Sequence, residues 1–468
     1  MLFDSINFVA FFIVITALFY LLPHKYRWLL LLAASCYFYM AFVPIYILIL
    51  GFTIVIDYIA GIFIEKNTGK RRKLWLITSL IANIGILCVF KYYNFINFNI
   101  GAVLSAWGYT TPFPALSILL PLGLSFHTFQ AMSYTIEVYR GHQKAERNFG
   151  IYALYVMFYP QLVAGPIERP QNLLPQFHEK HTFNPDNIVA GLKLMLIGFL
   201  KKLVIADRLS IYVNTVYANS NTQSGKSLAI ATVFFAFQIY CDFSAYSDIA
   251  RGAAKVMGFD LMINFKRPYF ATSVSQFWRR WHISLSTWFK DYLFIPLGGS
   301  RVKYKYRLYI NILIVFLISG LWHGANWTYV VWGGLNGLFL IIEAAAGRKI
   351  RTGSSISLTF KTLLTFLLIC ISWVFFRAET VQQALDIVKK IVLFDGPFYP
   401  GNPKDHFFYS IVALFFLLIF EFISEYRPAL YKVIPNNVAT RFSYYLVVVM
   451  IIMLFGVFDG GQFIYFQF

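Results

Sequence analysis

Residues 307–343 read RLYINILIVFLISGLWHGANWTYVVWGGLNGLFLIIE, and between Arg307 and Glu343 no residue carries a formal charge. A helix rises about 1.5 Å per residue, so about 20 apolar residues span the hydrocarbon of a bilayer. The run therefore fits two membrane helices or one broken pair. Near its centre, in Ser319-Gly320-Leu321-Trp322-His323-Gly324-Ala325-Asn326-Trp327, stands His323. It is expected well away from either water layer. An imidazole is costly to keep at that depth, and an intramembrane ionisable side chain is by default a functional one.

The same character extends along the chain. Of its 468 residues 59% are hydrophobic and 13% charged, with a mean hydropathy of +0.62, which excludes an array of soluble domains. Apolar runs lie near 5–22, 28–43, 45–63, 74–93, 116–138, 150–165, 188–206, 227–246, 308–322, 326–343, 361–376, 407–424 and 442–458. The expectation is one all-α, membrane-embedded domain over 1–468, with about 11 transmembrane helices plus re-entrant and amphipathic ones. Leu2–Leu22 reads as a retained span rather than a cleaved signal. No internal repeat stands out, which weighs against transporters built from inverted repeats. Cys36, Cys88, Cys241 and Cys370 are scattered in apolar surroundings and read as packing residues. No metal site is expected, since no three or four ligands converge by spacing.

A net charge of +19 invites a nucleic-acid reading, which the placement of the charges excludes. Basic residues cluster in short loops between apolar runs, as cytoplasmic retention of Lys and Arg produces. Glu65–Lys73 holds Lys66, Lys70, Arg71, Arg72 and Lys73 against one acid, so this loop is expected in the cytoplasm. Nothing between Lys91 and Glu137 is charged, which points the loop around Asn94–Pro114, and with it the amino terminus, outward.

Asp248–Arg307 breaks the pattern with eleven Lys or Arg, three Asp and many aromatics. Its core is Asn264-Phe265-Lys266-Arg267-Pro268-Tyr269-Phe270, then Gln276-Phe277-Trp278-Arg279-Arg280-Trp281-His282-Ile283-Ser284-Leu285-Ser286-Thr287-Trp288. Short amphipathic helices at the cytoplasmic face suit it. Two accounts stay open. One is anchoring by snorkelling cations and an aromatic belt. The other is a basic vestibule for a polyanionic acyl donor, with Trp278, Arg279, Arg280, Lys290 and Asn326 as candidate donor-binding residues.

Several stretches carry a resemblance: Pro121-Leu122-Gly123-Leu124-Ser125-Phe126-His127-Thr128-Phe129-Gln130, Tyr159-Pro160-Gln161-Leu162-Val163-Ala164-Gly165-Pro166-Ile167, Tyr240-Cys241-Asp242-Phe243-Ser244, Trp278–Trp288, Ile295-Pro296-Leu297-Gly298-Gly299 and Leu321-Trp322-His323-Gly324. Together, in this order, the chain resembles the membrane-bound O-acyltransferase (MBOAT) family, in the branch of the alginate O-acetyltransferase membrane subunit. The resemblance implies a funnel through the bilayer, a cytoplasmic acyl donor and a catalytic histidine at His323, with His282 matching the family's second polar position. Chemistry agrees, since a hydroxyl attacking a thioester needs a base near neutral pH. His282 would orient that base or polarise the carbonyl. His127 reads more plainly as a core histidine. Asp242 and Asp248 read as members of ion pairs.

After the final apolar run, Asp459-Gly460-Gly461 is expected to turn the chain before Gln462-Phe463-Ile464-Tyr465-Phe466-Gln467-Phe468. This segment resembles the tail of the small membrane partner in teichoic-acid D-alanylation, whose tyrosine takes the acyl group. The resemblance makes Tyr465 a candidate acyl relay; an aromatic plug or anchor is the other reading. The function expected is transfer of an acyl group, acetyl above all, from cytoplasmic acetyl-CoA or acyl carrier protein, with no permanently bound cofactor. A partner of the extracytoplasmic SGNH-type serine acetyltransferase class would then place the group on a polysaccharide or peptidoglycan. Localisation is the bacterial inner membrane, with lipid and no nucleic acid as surroundings. D-Alanyl transfer to teichoic acid and a non-enzymatic transporter or channel are the alternatives.

Overall fold

Backbone groups inside a bilayer have no water to bond, so long apolar runs there fold as helices. The computed structural model describes residues 1, 3, 5–109, 113–117, 121–347, 355–427, 437–458 and 463–464. Among the described residues there is no strand. Seven helices in them are long and apolar enough to cross a membrane: Pro44–Lys66, Gly69–Ala106, Gly225–Val256, Lys305–His323, Trp327–Ala345, Ile356–Arg377 and Lys404–Tyr426. Ile6–Leu21 and Phe442–Phe455 are apolar but shorter.

The charge-free run does divide into two helices, Lys305–His323 and Trp327–Ala345. The break falls at Gly324, and the Asn326 side chain caps the second helix by accepting the Thr328 N–H (3.1 Å). His323 thus ends one helix beside the turn instead of standing midway along a span. Glycines let the pair close tightly. A Cβ on Gly320 would lie 2.2 Å from the Tyr329 carbonyl oxygen, and one on Gly333 2.2 Å from that of Phe316. Small residues at membrane helix crossings serve this purpose.

Elsewhere the apolar runs are less literal. The run at 150–165 yields only the nine-residue helix Phe149–Met157, followed by buried turns that contain Pro160 and Pro166. The basic region folds into short pieces, as its composition implied: Pro268–Phe270, Val274–Trp278 and Ile283–Phe289.

Packing divides the chain into two compact units, residues 1–195 with 247–262 and residues 196–246 with 263–468. In the first, helices Ile47–Lys66, Gly69–Leu87 and Leu124–Arg140 pack together around one buried carboxylate. Asp57 accepts from Ser79 Oγ (2.6 Å) and from Asn83 Nδ2 (2.8 Å), and Ser79 Oγ lies 2.9 Å from Thr135 Oγ1. His127 belongs to this unit, buried edge-on to Tyr39 at 5.6 Å. The second unit holds the tight helical hairpin, the basic segment from Ile263 onward and both remaining candidate histidines.

Polar groups out of reach of water are held in place by their partners, and losing one partner costs more than losing both. Asn83→Leu is therefore expected to destabilise by about 1–3 kcal/mol, read as a lower thermal midpoint in detergent. The double variant Asp57→Leu/Asn83→Leu should lie above Asn83→Leu alone.

Candidate functional site

The site grows from a loop that is zipped at its base. Lys266 N–H donates to Arg280 O (2.9 Å), Ile283 N–H to Asn264 O (2.9 Å), and Ser284 N–H to Asn264 Oδ1 (3.0 Å). On the two legs, Arg267 (φ 44°) and His282 (φ 42°) are left-handed. That conformation costs a non-glycine residue about 1–3 kcal/mol and survives only where surroundings impose it.

The surroundings of His282 are aromatic. Its ring is 1% exposed, meets Phe243 edge-on at 4.6 Å and lies 6.3 Å from the Trp322 ring. Burial pushes its pKa down to about 3, so the imidazole is neutral throughout the physiological range. His323, 4% exposed, contacts Trp322 and Trp332 at 4.9 Å and Phe376 at 5.4 Å. One indole, Trp322, thus touches both histidines. Behind them Trp278, Trp332, Trp373 and Trp281 form a continuous wall, with ring separations of 5.7, 5.8 and 5.1 Å in that order. Such a wall excludes water and holds the rings rigidly. The arrangement can offer a neutral base to a hydroxyl in a dry, low-dielectric setting.

The candidate donor-binding residues divide. Arg280 donates to Glu425 (2.9 Å), which also pairs with Arg267 (2.6 Å). Arg279 is exposed and folds back on Ser275, and Lys290 is exposed at the start of a π-helical turn. Trp278 belongs to the aromatic wall, packed also on Phe316 at 5.3 Å. Asn326 has its carbonyl on the helix cap and its amide on Glu379 O (3.0 Å), which makes it a turn residue next to His323.

Asp242 and Asp248 both sit in ion pairs, Asp248 with Arg251 at 3.4 Å and Asp242 with Lys202 at 2.9 Å. Lys202 and Asp207, also 2.9 Å apart, are polar residues that motif reading passed over. A signal existed: Lys201-Lys202 interrupts an apolar stretch, and charges in such places have partners. Arg267 and Glu425 were also missed, as were Trp332, Trp373 and Phe376, whose spacing in apolar helices reads only as core. Tyr465 lies outside the described residues. Phe463 and Ile464 are described, both buried, and Ile464 N–H donates to Asp242 Oδ2 (2.6 Å).

Comparison with known proteins places this geometry in context. The model of the membrane-bound O-acyltransferase family matches residues 146–378. The chain is 40% identical to a probable alginate O-acetylase of Pseudomonas aeruginosa over 388 residues, covering 82% of this chain and 73% of that protein. It is 37% identical to a peptidoglycan O-acetyltransferase of Helicobacter pylori, covering 79% of this chain and 74% of that protein. A teichoic acid D-alanyltransferase of Streptococcus thermophilus is 31% identical over half of this chain and 60% of its own length.

The depressed pKa of His282 has a consequence for stability. In the unfolded chain a histidine binds its proton near pH 6.5, whereas native His282 does so only near 3. The unfolded state takes up more protons in that window, so stability present above about pH 6.5 is lost as pH falls toward about 3. His282→Asn is expected to flatten this loss, read as thermal midpoints in detergent from about pH 7 to about pH 4.

Proposed function

Because the chain belongs to the membrane-bound O-acyltransferase family, we propose that it takes an acetyl group from a cytoplasmic thioester and delivers it for O-acetylation of an extracytoplasmic polymer. It is an O-acyltransferase of the bacterial inner membrane. The observation that carries the finer reading is the burial of His282 and His323 against the same indole, Trp322.

In this reading His323 is the general base. The attacking hydroxyl, that of Tyr465, gives its proton to the imidazole as its oxygen bonds to the thioester carbonyl carbon. The tetrahedral oxyanion collapses, the C–S bond breaks, and the thiolate leaves with the proton returned by His323. The product is an aryl ester on Tyr465. His282, neutral and held in its left-handed turn, orients the reacting groups or donates to the oxyanion. Next to the site, Arg279, Arg280 and Lys290 supply positive charge for the phosphates of acetyl-CoA or of an acyl carrier protein, and Trp278 stacks beside them. A separate serine transferase of the SGNH type then takes the acyl group from the tyrosine, restoring the phenol.

The relatives that share most of this chain's length are named for O-acetylation, of alginate in one case and of peptidoglycan in the other. That favours acetyl over D-alanyl transfer. Incubating purified protein with isotopically labelled acetyl-CoA, and separately with acetyl carrier protein, tests the scheme by mass spectrometry. Label is expected on Tyr465, absent in Tyr465→Phe and reduced at least about a hundredfold in His323→Ala, the scale general-base catalysis contributes. Polymer acetylation in cells that survives His323→Ala would remove the central claim. Survival in Tyr465→Phe alone would remove the relay and leave direct transfer.

A further inference from the structure

The cluster around Lys202 is more elaborate than helix packing requires. Lys202 lies in the π-helical turn Leu200–Ala206, a rare geometry that recurs at functional sites. Its Nζ sits 2.9 Å from Asp207 Oδ1 and 2.9 Å from Asp242 Oδ1. Asp242 Oδ2 then accepts the Ile464 backbone N–H at 2.6 Å. The Phe463 ring lies under the Lys202 ammonium, 4.3 Å to its centroid, and meets Tyr246 edge-on at 4.9 Å. Lys202 and Phe463 are 1% exposed, and Asp242 3%.

Removing three charges from water costs several kcal/mol per ion, and well-packed apolar side chains hold helices together at least as well. What apolar packing cannot do is fix register. Phe463 and Ile464 are apolar and buried, and burial of such surface is non-directional, so a slip of one residue costs little. A charge-assisted bond to one particular N–H removes that freedom. Asp242 is well placed for the task, since its neighbour Phe243 packs directly on His282. The same helical turn that holds the tail therefore also touches the candidate site.

We propose that Asp242, held by Lys202 and Asp207, is a register latch that pins the tail at Ile464, and that acyl transfer through Tyr465 depends on this latch. Asp242, Lys202 and Asp207 act here as positioning residues, not catalytic ones. The inference rests on the relay reading of Tyr465.

Two variants at the tail test the latch, one serving as control for the core contact that both lose. Ile464→Pro deletes the N–H, and Ile464→Ala keeps it while trimming the side chain. With labelled acetyl-CoA, the initial rate of Tyr465 labelling is expected to fall at least about tenfold in Ile464→Pro relative to Ile464→Ala, with similar thermal midpoints, the scale of a lost hydrogen bond to a charged group. Equal rates in the two variants would overturn the latch. A second measurement is independent of acyl chemistry. The Ile464→Cys thiol should react slowly with a soluble maleimide, and adding Asp242→Asn should speed it at least about tenfold. An unchanged rate would overturn the latch whether or not Tyr465 is labelled. A faster rate in a protein whose Tyr465 never takes label would instead sink the relay reading, leaving a tail anchor with no part in transfer.

Discussion

A polar side chain carried into the membrane on an apolar helix has no water to bond, and the architecture follows from how each such group is satisfied. Asp57 gathers donors from Gly69–Leu87, the helix packed beside its own. Lys202 draws Asp207 and Asp242 onto itself, and Tyr240 donates to the buried Glu421. Apolar faces pack in many rotations of nearly equal energy, whereas a directional bond in a low-dielectric interior admits one. These few polar clusters set how the helices are turned about their axes, and thus which residues face each other.

The candidate site is the counterpart of this rule, a place where two imidazoles are surrounded by rings. Its aromatic wall keeps His282 neutral by withholding water and holds both rings rigid by filling the space around them. The left-handed turn at His282 is held by bonds from the Ile283 and Ser284 N–H groups to the carbonyl and side chain of Asn264, so its strain is absorbed by the surrounding fold. The Gly320 and Gly333 contacts bring the two hairpin helices close enough for Trp322 and Trp332 to flank His323. Chemistry at one residue therefore depends on close approaches of backbone in the helices that carry it.

Much of this is legible in the sequence. Hydropathy is a property of consecutive residues, so the helical class and most of the long helices could be read directly. The same holds for the short amphipathic pieces of Asp248–Arg307, where charge and aromatic residues alternate too densely for a span. His323 and His282 stood out because the residues around them carry a family pattern. The apolar run at 150–165 misled, because a segment buried inside the protein is as hydrophobic as one facing lipid. Asn326, one of the candidate donor-binding residues, caps the second hairpin helix, a role that hydropathy does not show.

The sequence by itself determined the membrane class, the all-helical build, the family and two histidines worth testing, since all four are written in local composition and ordered motifs. Only the tertiary structure decided that Trp322 lies against both histidines, that Lys202 meets an aspartate forty positions away, and that Asp242 reaches the backbone of Ile464. Those pairings join residues far apart in the chain. Hydropathy is carried by neighbours, but a hydrogen bond or ring contact exists only once the packed helices have fixed rotation and depth.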